Sequence, residues 1–400
     1  MVISITGDNG SGNREVWHIL HIRGRRTGRG RLGSTGLIHA FTKSVIQGLK
    51  QFAFPVTRLL FVHIRLVEGV LKETGLPFRM LIAGEGWVVS NTLAAFREGS
   101  LSEVYRRRVP VVWALYLLHW RRTEFDLLLG LLPDFYRPLW RRWADYQGLC
   151  SLRWTMDTSQ GLAATMAAMN EGNRSAMRKI GADSSLRFCS SRSESDLEFF
   201  YREMYLPLMQ QRHGEQALLS SYATQLAIFQ EGELAFLEKS GVRIAAVLFS
   251  VEDTSLVFQD FGVLAGDLQL RKDGAIAALY YFGLRLAVER GLSALDCKFT
   301  TCWLANGLVQ HKASLGGKVT YQTWLGHLCV RFGRNDDKAR AFFASNPLAI
   351  DVGGQLQVLT AAGANDETAI ARKVSRWKKW GFENVELLPA RPQLPQKTGH

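Results

Sequence analysis

The stretch from Arg243 to Gly317 constrains the fold most, because it alternates strand and helix patterns in a set order. The apolar run R-I-A-A-V-L-F-S predicts a strand, and the polar turn E-D-T-S reverses the chain. L-V-F-Q-D-F-G-V (Leu256 to Val263) predicts a second strand, which is followed by a helix from Ala275 to Arg290 and a strand around Asp296. The stretch therefore predicts two strands, a helix and a third strand, in that order.

A short polar loop, Arg271 to Gly274, lies between the second strand and the helix. A glycine-containing loop that opens a helix after a strand can seat a phosphate on free backbone N–H groups. We therefore expect Arg271 and the N–H of Gly274 to contact the phosphates of an anionic ligand. A bulky residue in place of Gly274 is expected to block that approach at little cost in stability.

The residues of this stretch resemble the catalytic half of a GNAT-fold acyltransferase of the FemAB-like, peptidoglycan-bridge aminoacyltransferase-like branch. The resemblance rests on G-A-I-A-A-L-Y-Y-F-G-L-R-L-A-V-E-R-G-L-S-A-L-D and the downstream G-L-V-Q-H-K-A-S-L-G-G. Two upstream segments support it, N-R-S-A-M-R-K-I and F-Y-R-E-M-Y-L-P-L-M-Q-Q-R-H-G. The pyrophosphate loop of the family is similar to R/Q-x-x-G-x-G/A, whereas Ile276 stands here at the last position. This departure favours a donor other than ordinary acetyl-CoA.

The resemblance implies an α+β fold, with a GNAT-type mixed sheet flanked by helices and two GNAT-like halves of which the first is degenerate. We expect a disordered basic arm over residues 1–36, an amphipathic helical segment over 37–75 and the degenerate half over 76–170. The catalytic half is expected over 171–330. A C-terminal βαβ extension and tail, over 331–400, could extend the sheet of either half.

The composition favours a folded protein with an anionic partner. With 47% apolar and 21% charged residues, the chain has ample material for large cores. A net charge of +13 favours a nucleotide, tRNA, an anionic glycan or a membrane surface, and does not rank them. There is no G-x-S-x-G, P-loop or H-E-x-x-H motif, which removes the main support for hydrolase, nucleotide-triphosphatase and zinc-peptidase functions.

The five cysteines are irregularly spaced and form no C-x-x-C pair, so we expect neither a disulfide framework nor a metal site. This cysteine usage predicts a cytoplasmic location. The first 36 residues are too polar for a signal peptide. The longest uncharged apolar run, Val109 to Leu118, is too short to span a bilayer.

The N-terminal third contains two basic segments. R-G-R-R-T-G-R-G-R-L-G cannot bury an apolar face, and it is either an RNA- or membrane-attracting arm or an extension without a role. From Leu37 to Glu73 we expect helix broken at Pro55, with basic residues at spacings of eight, seven and seven: Lys50, Arg58, Arg65 and Lys72. Such a face suits peripheral contact with an anionic bilayer, and equally an ordinary helix with a solvated edge. Farther on, Met80 to Ala83 and Trp87 to Ser90 are predicted strands.

Three residues are candidates for proton transfer. Asp260 lies in an aromatic strand, where desolvation would raise the pKa of a carboxylate, although it could instead face solvent. His213 follows a helix and is suited to exchange protons near neutral pH, or it could simply stabilise the helix end. Asp296 could orient an acceptor amine, or form a structural ion pair with Lys312.

Donor-binding candidates are basic or aromatic residues near the expected phosphates. Arg174, Arg178 and Lys179 cluster on one predicted helix and could capture phosphate or form a solvated face. Lys312 could hold a phosphate or carboxylate. Tyr280 and Tyr281 open the helix after the glycine loop and could line the acceptor pocket or belong to the core.

The resemblance implies direct transfer of an acyl or aminoacyl group to an amine or hydroxyl, without a covalent enzyme intermediate. The implied donor is acyl-CoA or aminoacyl-tRNA, no metal is needed, and the acceptor would be a small molecule or an envelope precursor. Cell-envelope or natural-product biosynthesis would be the setting, at or near the inner face of the membrane. The rival hypothesis is a non-catalytic RNA- or membrane-binding protein on a decayed GNAT scaffold, which the basic arm and net charge support.

Overall fold

The computed structural model describes residues 4–9, 13–18, 60–84, 87–120, 124–131, 136–213, 219–320, 326–333, 336–361 and 367–388. Its strands, in chain order, are β1 (Ser4–Asn9), β2 (Asn13–His18), β3 (Phe61–Val70), β4 (Pro77–Ala83), β5 (Ser102–Pro110), β6 (Leu127–Gly130), β7 (Tyr146–Leu149), β8 (Ser151–Asp157), β9 (Leu186–Ser191), β10 (Glu233–Lys239), β11 (Val242–Glu252), β12 (Ser255–Val263), β13 (Ala294–Thr301), β14 (Lys318–Thr320), β15 (His327–Phe332), β16 (Leu348–Val352), β17 (Gln355–Ala361) and β18 (Asn384–Leu388).

The α-helices alternate with these strands. They are α1 (Trp87–Leu93), α2 (Val111–Trp120), α3 (Arg137–Trp140), α4 (Gly161–Ala167), α5 (Glu171–Ala182), α6 (Glu194–Phe199), α7 (Leu206–His213), α8 (Tyr222–Glu231), α9 (Leu268–Lys272), α10 (Ala275–Glu289), α11 (Gly307–Ser314), α12 (Asp336–Ser345) and α13 (Glu367–Lys379). A π-helix, Phe200–Tyr205, joins α6 to α7, and a 3-10 helix, Leu264–Gly266, precedes α9.

The chain divides into two compact units. The first contains Thr155–Lys298, Ser314–Gly316 and the hairpin of β1 and β2. Within it, β9, β10, β11 and β12 pair antiparallel in chain order, β13 then pairs parallel with β12, and β8 is the next neighbour of β13.

Strand β11 lies at the centre of three layers in the first unit. Its run A-A-V-L-F is buried throughout, which is typical of a strand covered on both faces. On one face, Ala246 and Leu248 pack with Phe200, Tyr205 and other side chains of α6, the π-helix and α8. On the other face, Phe249 and Phe258 pack beneath α10. This sheet, with helices on both sides, carries the residues considered below as a candidate site.

The second unit contains the described residues of Gly33–Trp154, Phe299–Ala313 and Gly317–His400. Its nine-stranded sheet has the order β18-β17-β16-β7-β15-β6-β4-β3-β5. Strand β17 pairs parallel with β18 and β4 with β6. The pairs β3–β4, β3–β5, β6–β15, β7–β15, β7–β16 and β16–β17 are antiparallel. Apolar side chains from β3, β4, α2 and Trp140 form its core at one end.

Parallel and antiparallel pairs occur in both sheets, and helices flank them, so the predicted α+β class with mixed sheets is confirmed. The boundaries differ from those expected. The first unit begins at Thr155, within β8, rather than at 171. Its main segment ends at Lys298, within β13. The C-terminal βαβ unit is present as β17, α13 and β18, and it extends the nine-stranded sheet.

The predicted amphipathic helix is wrong where the structure describes it. Residues Phe61–Val70 form strand β3, which pairs with β4 and β5. Buried Val62, Ile64 and Leu66 alternate with more exposed residues, which is the period of a strand. Arg65 lies in this strand, 3.9 Å from the carboxylate of Glu103, so it cannot belong to a basic helical face. Lys50 and Arg58 lie outside the described residues.

Two further expectations differ from the structure. The segment expected as a strand at Trp87 to Ser90 begins helix α1, where the Thr92 hydroxyl donates to the carbonyl of Val88 in helical spacing. In the arm expected to be disordered, β1 and β2 pair antiparallel around the turn-forming sequence N-G-S-G-N. The arginine-rich run that follows lies outside the described residues.

None of the helices in the described part of the chain is long and apolar enough to cross a membrane.

Candidate functional site

The parallel ladder between β12 and β13 is short. It runs only from the pair Ser255↔Ala294 to the pair Val257↔Asp296, although both strands continue beyond it. In the same place the β11–β12 register shifts, so that Gln259 is an extra residue in β12. Within the described residues no further pair joins β12 to β13, so an opening begins between them next to Gln259.

Lys298 lies at this opening on β13 and has an unusual backbone. Its φ of +59° is in the left-handed region, which costs about 1 kcal/mol or more for a residue with a side chain. The carboxylate of Asp296 accepts a hydrogen bond from the Lys298 N–H at 2.6 Å and holds this local turn. The Lys298 ammonium donates to the side-chain oxygen of Gln259 at 2.8 Å. Backbone strain that is held in place by surrounding contacts is frequent at functional sites.

The bulge at Gln259 places the side chains of Phe258 and Asp260, which flank it, on opposite faces of the sheet. Phe258 stacks on Tyr280 of α10, with ring centroids 5.0 Å apart. Asp260 instead accepts a hydrogen bond from Gln225 of α8, at 3.3 Å. Asp260 therefore borders the opening from the side of α8, while Phe258 and Tyr280 border it from the side of α10.

Desolvation dominates the electrostatics of Asp260. Burial of the carboxylate raises the pKa of Asp260 above its ordinary value, as its aromatic surroundings predict. The Lys298 charge and hydrogen bonds from Ser220 and Gln225 oppose that rise. The residue as a whole is partly exposed, whereas its carboxylate is desolvated.

Apart from Lys298, the groups around Asp260 are neutral donors and acceptors. The Tyr205 hydroxyl accepts from the Ser220 N–H at 2.8 Å, and burial, with a smaller effect of Asp260, raises the pKa of Tyr205 to about 12. Gln225 is fully buried, and its Oε1 has no hydrogen-bond partner among the described residues. Tyr205 therefore stays protonated at neutral pH, and Asp260 is the group in this cluster that can exchange a proton.

On the α10 side, Tyr280 stacks on Phe258 of the sheet and lies within electrostatic reach of Arg212 of α7. Burial raises the pKa of Tyr280 above its ordinary value, a charge on Cys297 adds to the rise, and Arg212 opposes it. Its hydroxyl is therefore a neutral group close to Cys297, the residue of β13 that follows the last paired position. Tyr280 and Phe258 give this side of the opening an aromatic wall.

Arg212 of α7 and Arg271 of α9 bring two guanidinium groups together. Although Arg212 is exposed as a residue, partial desolvation of its guanidinium lowers its pKa, and repulsion from Arg271 lowers it further. Neither arginine forms an ion pair within the described part of the chain, and the buried Nε of Arg271 has no hydrogen-bond partner there. Two neighbouring cations without a carboxylate are suited to hold an anion.

The expectation for Gly274 is wrong in two respects. Its N–H donates to the carbonyl of Arg271 at 3.2 Å and so does not face a ligand. Its φ of +94° favours glycine, so a side chain there would strain the backbone. At this end of α10, the backbone N–H groups without an acceptor among the described residues are those of the first helical turn, which begins at Ala275. The first N–H groups of a helix generally have no partner within the helix.

A cleft of about 170 Å³ lies at this end of α10. Its lining includes two cations, Lys179 and Lys239, and two carboxylates, Asp183 and Asp273, beside Gly274. The Ser185 hydroxyl and N–H lower the pKa of Asp183. Because the four charges balance, this cleft offers less attraction to a phosphate than the unpaired arginines do.

The predicted basic cluster on α5 does not act as one group. Arg174 donates to the carboxylate of Glu171, and Arg178 lies 3.8 Å from the same carboxylate. Lys179 alone reaches the cleft with Gly274. Glu171 thus neutralises much of the face that the sequence suggested for phosphate capture.

The other predicted residues have separate locations. The Tyr281 hydroxyl packs against Gly181 of α5, whereas Tyr280 borders the opening. Lys312, in the second unit, is buried and donates to the carbonyl of Phe299 at 3.0 Å. Asp296 is buried and holds the turn at Lys298. His213 ends α7, and its side chain lies outside the described residues.

Sequence reasoning missed four residues, Arg212, Gln225, Gln259 and Lys298, and it did not choose between Tyr280 and Tyr281. A weak signal existed for two of the four. Lys298 is a charged residue inside an apolar strand, and Arg212 is the direct neighbour of His213. Gln259 depends on a bulge, and Gln225 and the choice of Tyr280 depend on helix orientation. Within the described residues, no group of three or more His, Cys, Asp or Glu side chains could hold a metal ion.

No family model matches the sequence, and no curated protein matches it either. Among solved structures, FemX is similar over 69% of this chain and 85% of its own, with 9% identity and a TM-score of 0.37. L-PGS from Bacillus licheniformis is similar over 70% of this chain and 86% of its own, with 11% identity and a TM-score of 0.34. A GCN5-related N-acetyltransferase from Kribbella flavida is similar over 64% and 82%, with 10% identity and a TM-score of 0.24.

None of these TM-scores reaches 0.5, and we therefore take the chemistry of the site from its own residues. The predicted resemblance is confirmed to the extent that the solved structures similar to this chain include FemX and a GCN5-related N-acetyltransferase.

Proposed function

We propose that this protein transfers an acyl or aminoacyl group from a CoA- or tRNA-type donor to an amine or hydroxyl acceptor. The observation that carries the proposal is the early end of the β12–β13 ladder at Val257 and Asp296. An opening between adjacent parallel strands, next to the loop that begins the following helix, is where the GNAT-like enzymes that the sequence resembles hold the donor. Here Phe258, Tyr280 and Cys297 flank it.

The reaction needs a proton acceptor close to that opening. The acceptor nitrogen or oxygen attacks the donor carbonyl carbon, forming the new C–N or C–O bond while the bond to the leaving sulfur or oxygen breaks. The attacking group gives up one proton and the leaving group takes one, so no net proton is consumed. Asp260, whose pKa is raised by burial, is the first candidate base, with His213 the second and Asp296 the third.

Both kinds of donor carry phosphates, and the unpaired guanidinium groups of Arg212 and Arg271 suit them. Arginine binds phosphate through several N–H groups at once, so two arginines on different helices can fix a phosphate firmly. Lys179 adds a cation at the other side of the α10 N-terminus. We assign donor contacts to these three residues, and structural roles to Arg174, Arg178, Tyr281 and Lys312.

We also propose that the protein is cytoplasmic. Its acceptor is a small molecule or an envelope precursor. The described residues include all five cysteines, and none of them forms a disulfide. The reducing cytoplasm suits such a chain.

The test is a comparison of donors with a matched variant. Native mass spectrometry and calorimetry would measure binding of coenzyme A, aminoacyl-tRNA and deacylated tRNA to wild type, R271Q and R285Q. We expect one donor class to bind wild type and R285Q, with R271Q weakened. Release of the acyl group in the presence of amines should then depend on Asp260 or His213.

Two results would contradict this function. Absence of binding to either donor class would remove its basis. Equal binding of aminoacylated and deacylated tRNA without any acyl transfer would favour the rival hypothesis of an RNA-binding protein on this scaffold.

A further inference from the structure

Gln225 of α8 has a buried amide of which only one end is paired. The residue is 0% exposed. Its Nε2 donates to a carboxylate oxygen of Asp260 at 3.3 Å. Its Oε1 is out of contact with solvent and accepts no hydrogen bond within the described part of the chain. Most buried polar atoms in proteins have a partner, because leaving one unpaired is costly, so this oxygen requires an explanation.

The unpaired oxygen lies beside the first candidate base. Oε1 and Nε2 belong to one planar amide, and Nε2 contacts Asp260, so Oε1 is close to the same carboxylate. Nε2 rather than Oε1 faces Asp260, as an ionised carboxylate requires, because it only accepts hydrogen bonds. Asp260 and Ser220 are partly exposed, so this group of side chains reaches the surface. Two hydrogen-bond acceptors, one from each of Asp260 and Gln225, therefore lie close together at the opening.

The number of donors, rather than charge, distinguishes the ligands that fit this pair. The Lys298 charge already opposes that of Asp260, and its ammonium donates to Gln259 at 2.8 Å. An uncharged primary amine has two N–H donors, whereas a hydroxyl has one O–H donor. The amine can therefore satisfy both acceptors at once. A hydroxyl that donates to Asp260 leaves Oε1 of Gln225 unpaired.

We propose that Gln225 selects a primary amine as the acceptor of the transfer reaction. One N–H of the amine donates to Oε1 of Gln225, and the other donates to Asp260. The assignment rests on the proposed transfer function, and it narrows the attacking group from an amine or hydroxyl to an amine.

The two N–H groups of the amine have different fates in the reaction. As the nitrogen attacks the donor carbonyl carbon, the proton facing Asp260 passes to that carboxylate. The C–N bond forms, the bond to the leaving sulfur or oxygen breaks, and the leaving group takes up one proton. The other N–H stays on Gln225 throughout and becomes the N–H of the amide product. Gln225 therefore orients the nitrogen without exchanging a proton itself.

The test compares two probes of nearly the same shape, 2,2,2-trifluoroethylamine and 2,2,2-trifluoroethanol. Both are uncharged slightly above neutral pH, so they differ in their number of donors. Fluorine NMR measures their binding to the full chain, and neither an acyl donor nor turnover is needed. Wild type should bind the amine at least about tenfold more tightly than the alcohol, because the alcohol leaves Oε1 unpaired.

Three variants assign this preference to the Gln225 oxygen. Q225M removes the oxygen at nearly constant size and should bind the two probes about equally. Q225E keeps an oxygen acceptor at the same position and should retain the preference for the amine, which also provides a second variant if Q225M does not fold. Q230M is the matched control, because Gln230 is exposed on the same helix, and it should bind both probes as wild type does.

Several outcomes would overturn the proposal. They are equal binding of the two probes to wild type, tighter binding of the alcohol, and no binding of either probe. A Q225M variant that still prefers the amine, or a Q225E variant that does not, would overturn it as well. Each of these results leaves the transfer function standing. A chain that binds the amine but neither donor class would instead contradict the transfer function and leave the amine site in place.

Discussion

The ammonium of Lys298 donates to the side-chain oxygen of Gln259 at 2.8 Å, at the point where β12 and β13 stop pairing. Each residue is an irregularity in its own strand, Gln259 as the extra residue of a bulge and Lys298 through its positive φ. The hydrogen bond therefore joins two strand defects at one level of the sheet. Together they begin the opening and turn Asp260 toward α8.

Replacement of Lys298 tests whether its charge tunes Asp260. Lys298 lowers the pKa of Asp260, so K298M should raise that pKa further. If ionised Asp260 is the base, the acidic limb of the kcat/KM profile should move to higher pH. K298R keeps the charge and should leave the limb near its wild-type position. An unchanged profile in K298M would show that Lys298 does not act on the catalytic base.

The two unpaired arginines predict opposite effects on stability and binding. In R271Q the repulsion on Arg212 disappears, so the ligand-free protein should keep or increase its Tm. A charge-assisted contact to phosphate is lost, which should weaken pyrophosphate binding by about tenfold or more. A ligand at one hundred times its Kd stabilises by about 2.7 kcal/mol, so thermal shift with pyrophosphate can measure this difference.

The control for that experiment is R285Q. Arg285 is exposed on α10 and pairs with Glu289 at 3.0 Å. Its replacement should leave the pyrophosphate-induced shift unchanged. Equal shifts in wild type and R271Q would place the anion site elsewhere.

The periodic segments of the fold could be predicted from the sequence. The strands expected from Arg243 and Leu256, and the helix from Ala275, match β11, β12 and α10 to within a few residues. The expected C-terminal βαβ unit corresponds to β17, α13 and β18. These segments combine strong periodicity with turn residues at their ends, so local and tertiary preferences agree.

The segment that became β3 shows where such reasoning fails. The spacing of seven between Arg65 and Lys72 suits a helix, but Val62, Ile64 and Leu66 also suit a strand. Pairing with β4 and β5 decides between them, and that information is not local.

The site could be predicted only in part. Asp260 was identified from its aromatic neighbours, because burial in such a strand raises a carboxylate pKa. Gln259 and Lys298 could not be identified, since no local pattern announced a bulge or a positive φ at a lysine. The choice between Tyr280 and Tyr281 depends on how α10 is rotated against the sheet, which the helical period alone leaves open.

A close approach between β12 and the π-helix gives a stability prediction. A Cβ on Gly262 would lie 2.6 Å from the carbonyl carbon of Met204 and 2.7 Å from the Tyr205 nitrogen. G262A should therefore destabilise the protein by about 1–3 kcal/mol, because backbone must move. G172A is the matched control, since its nearest atom is 3.9 Å away, and should stabilise α5 by about 0.5 kcal/mol. Chemical denaturation would measure both, and equal stabilities would contradict the packing described here.

Asp260 gives the prediction that bears most directly on function. D260N keeps the size of the side chain and removes its titration, so kcat should fall by about 10²–10⁴ with little change in KM. H213Q should be compared in the same assay, because His213 is the second candidate. D253N is the control, since Asp253 lies in the exposed turn between β11 and β12.

Although D260N should lower kcat, it should increase stability at neutral pH. A carboxyl whose pKa is raised in the folded state contributes stability at low pH and loses it as pH rises through that raised pKa. Wild type should therefore become less stable as pH rises through this window, relative to D260N, which should have the higher Tm at neutral pH. Thermal denaturation as a function of pH would measure this difference. A D260N variant with wild-type turnover and a wild-type dependence of Tm on pH would show that Asp260 is neither the base nor a desolvated acid.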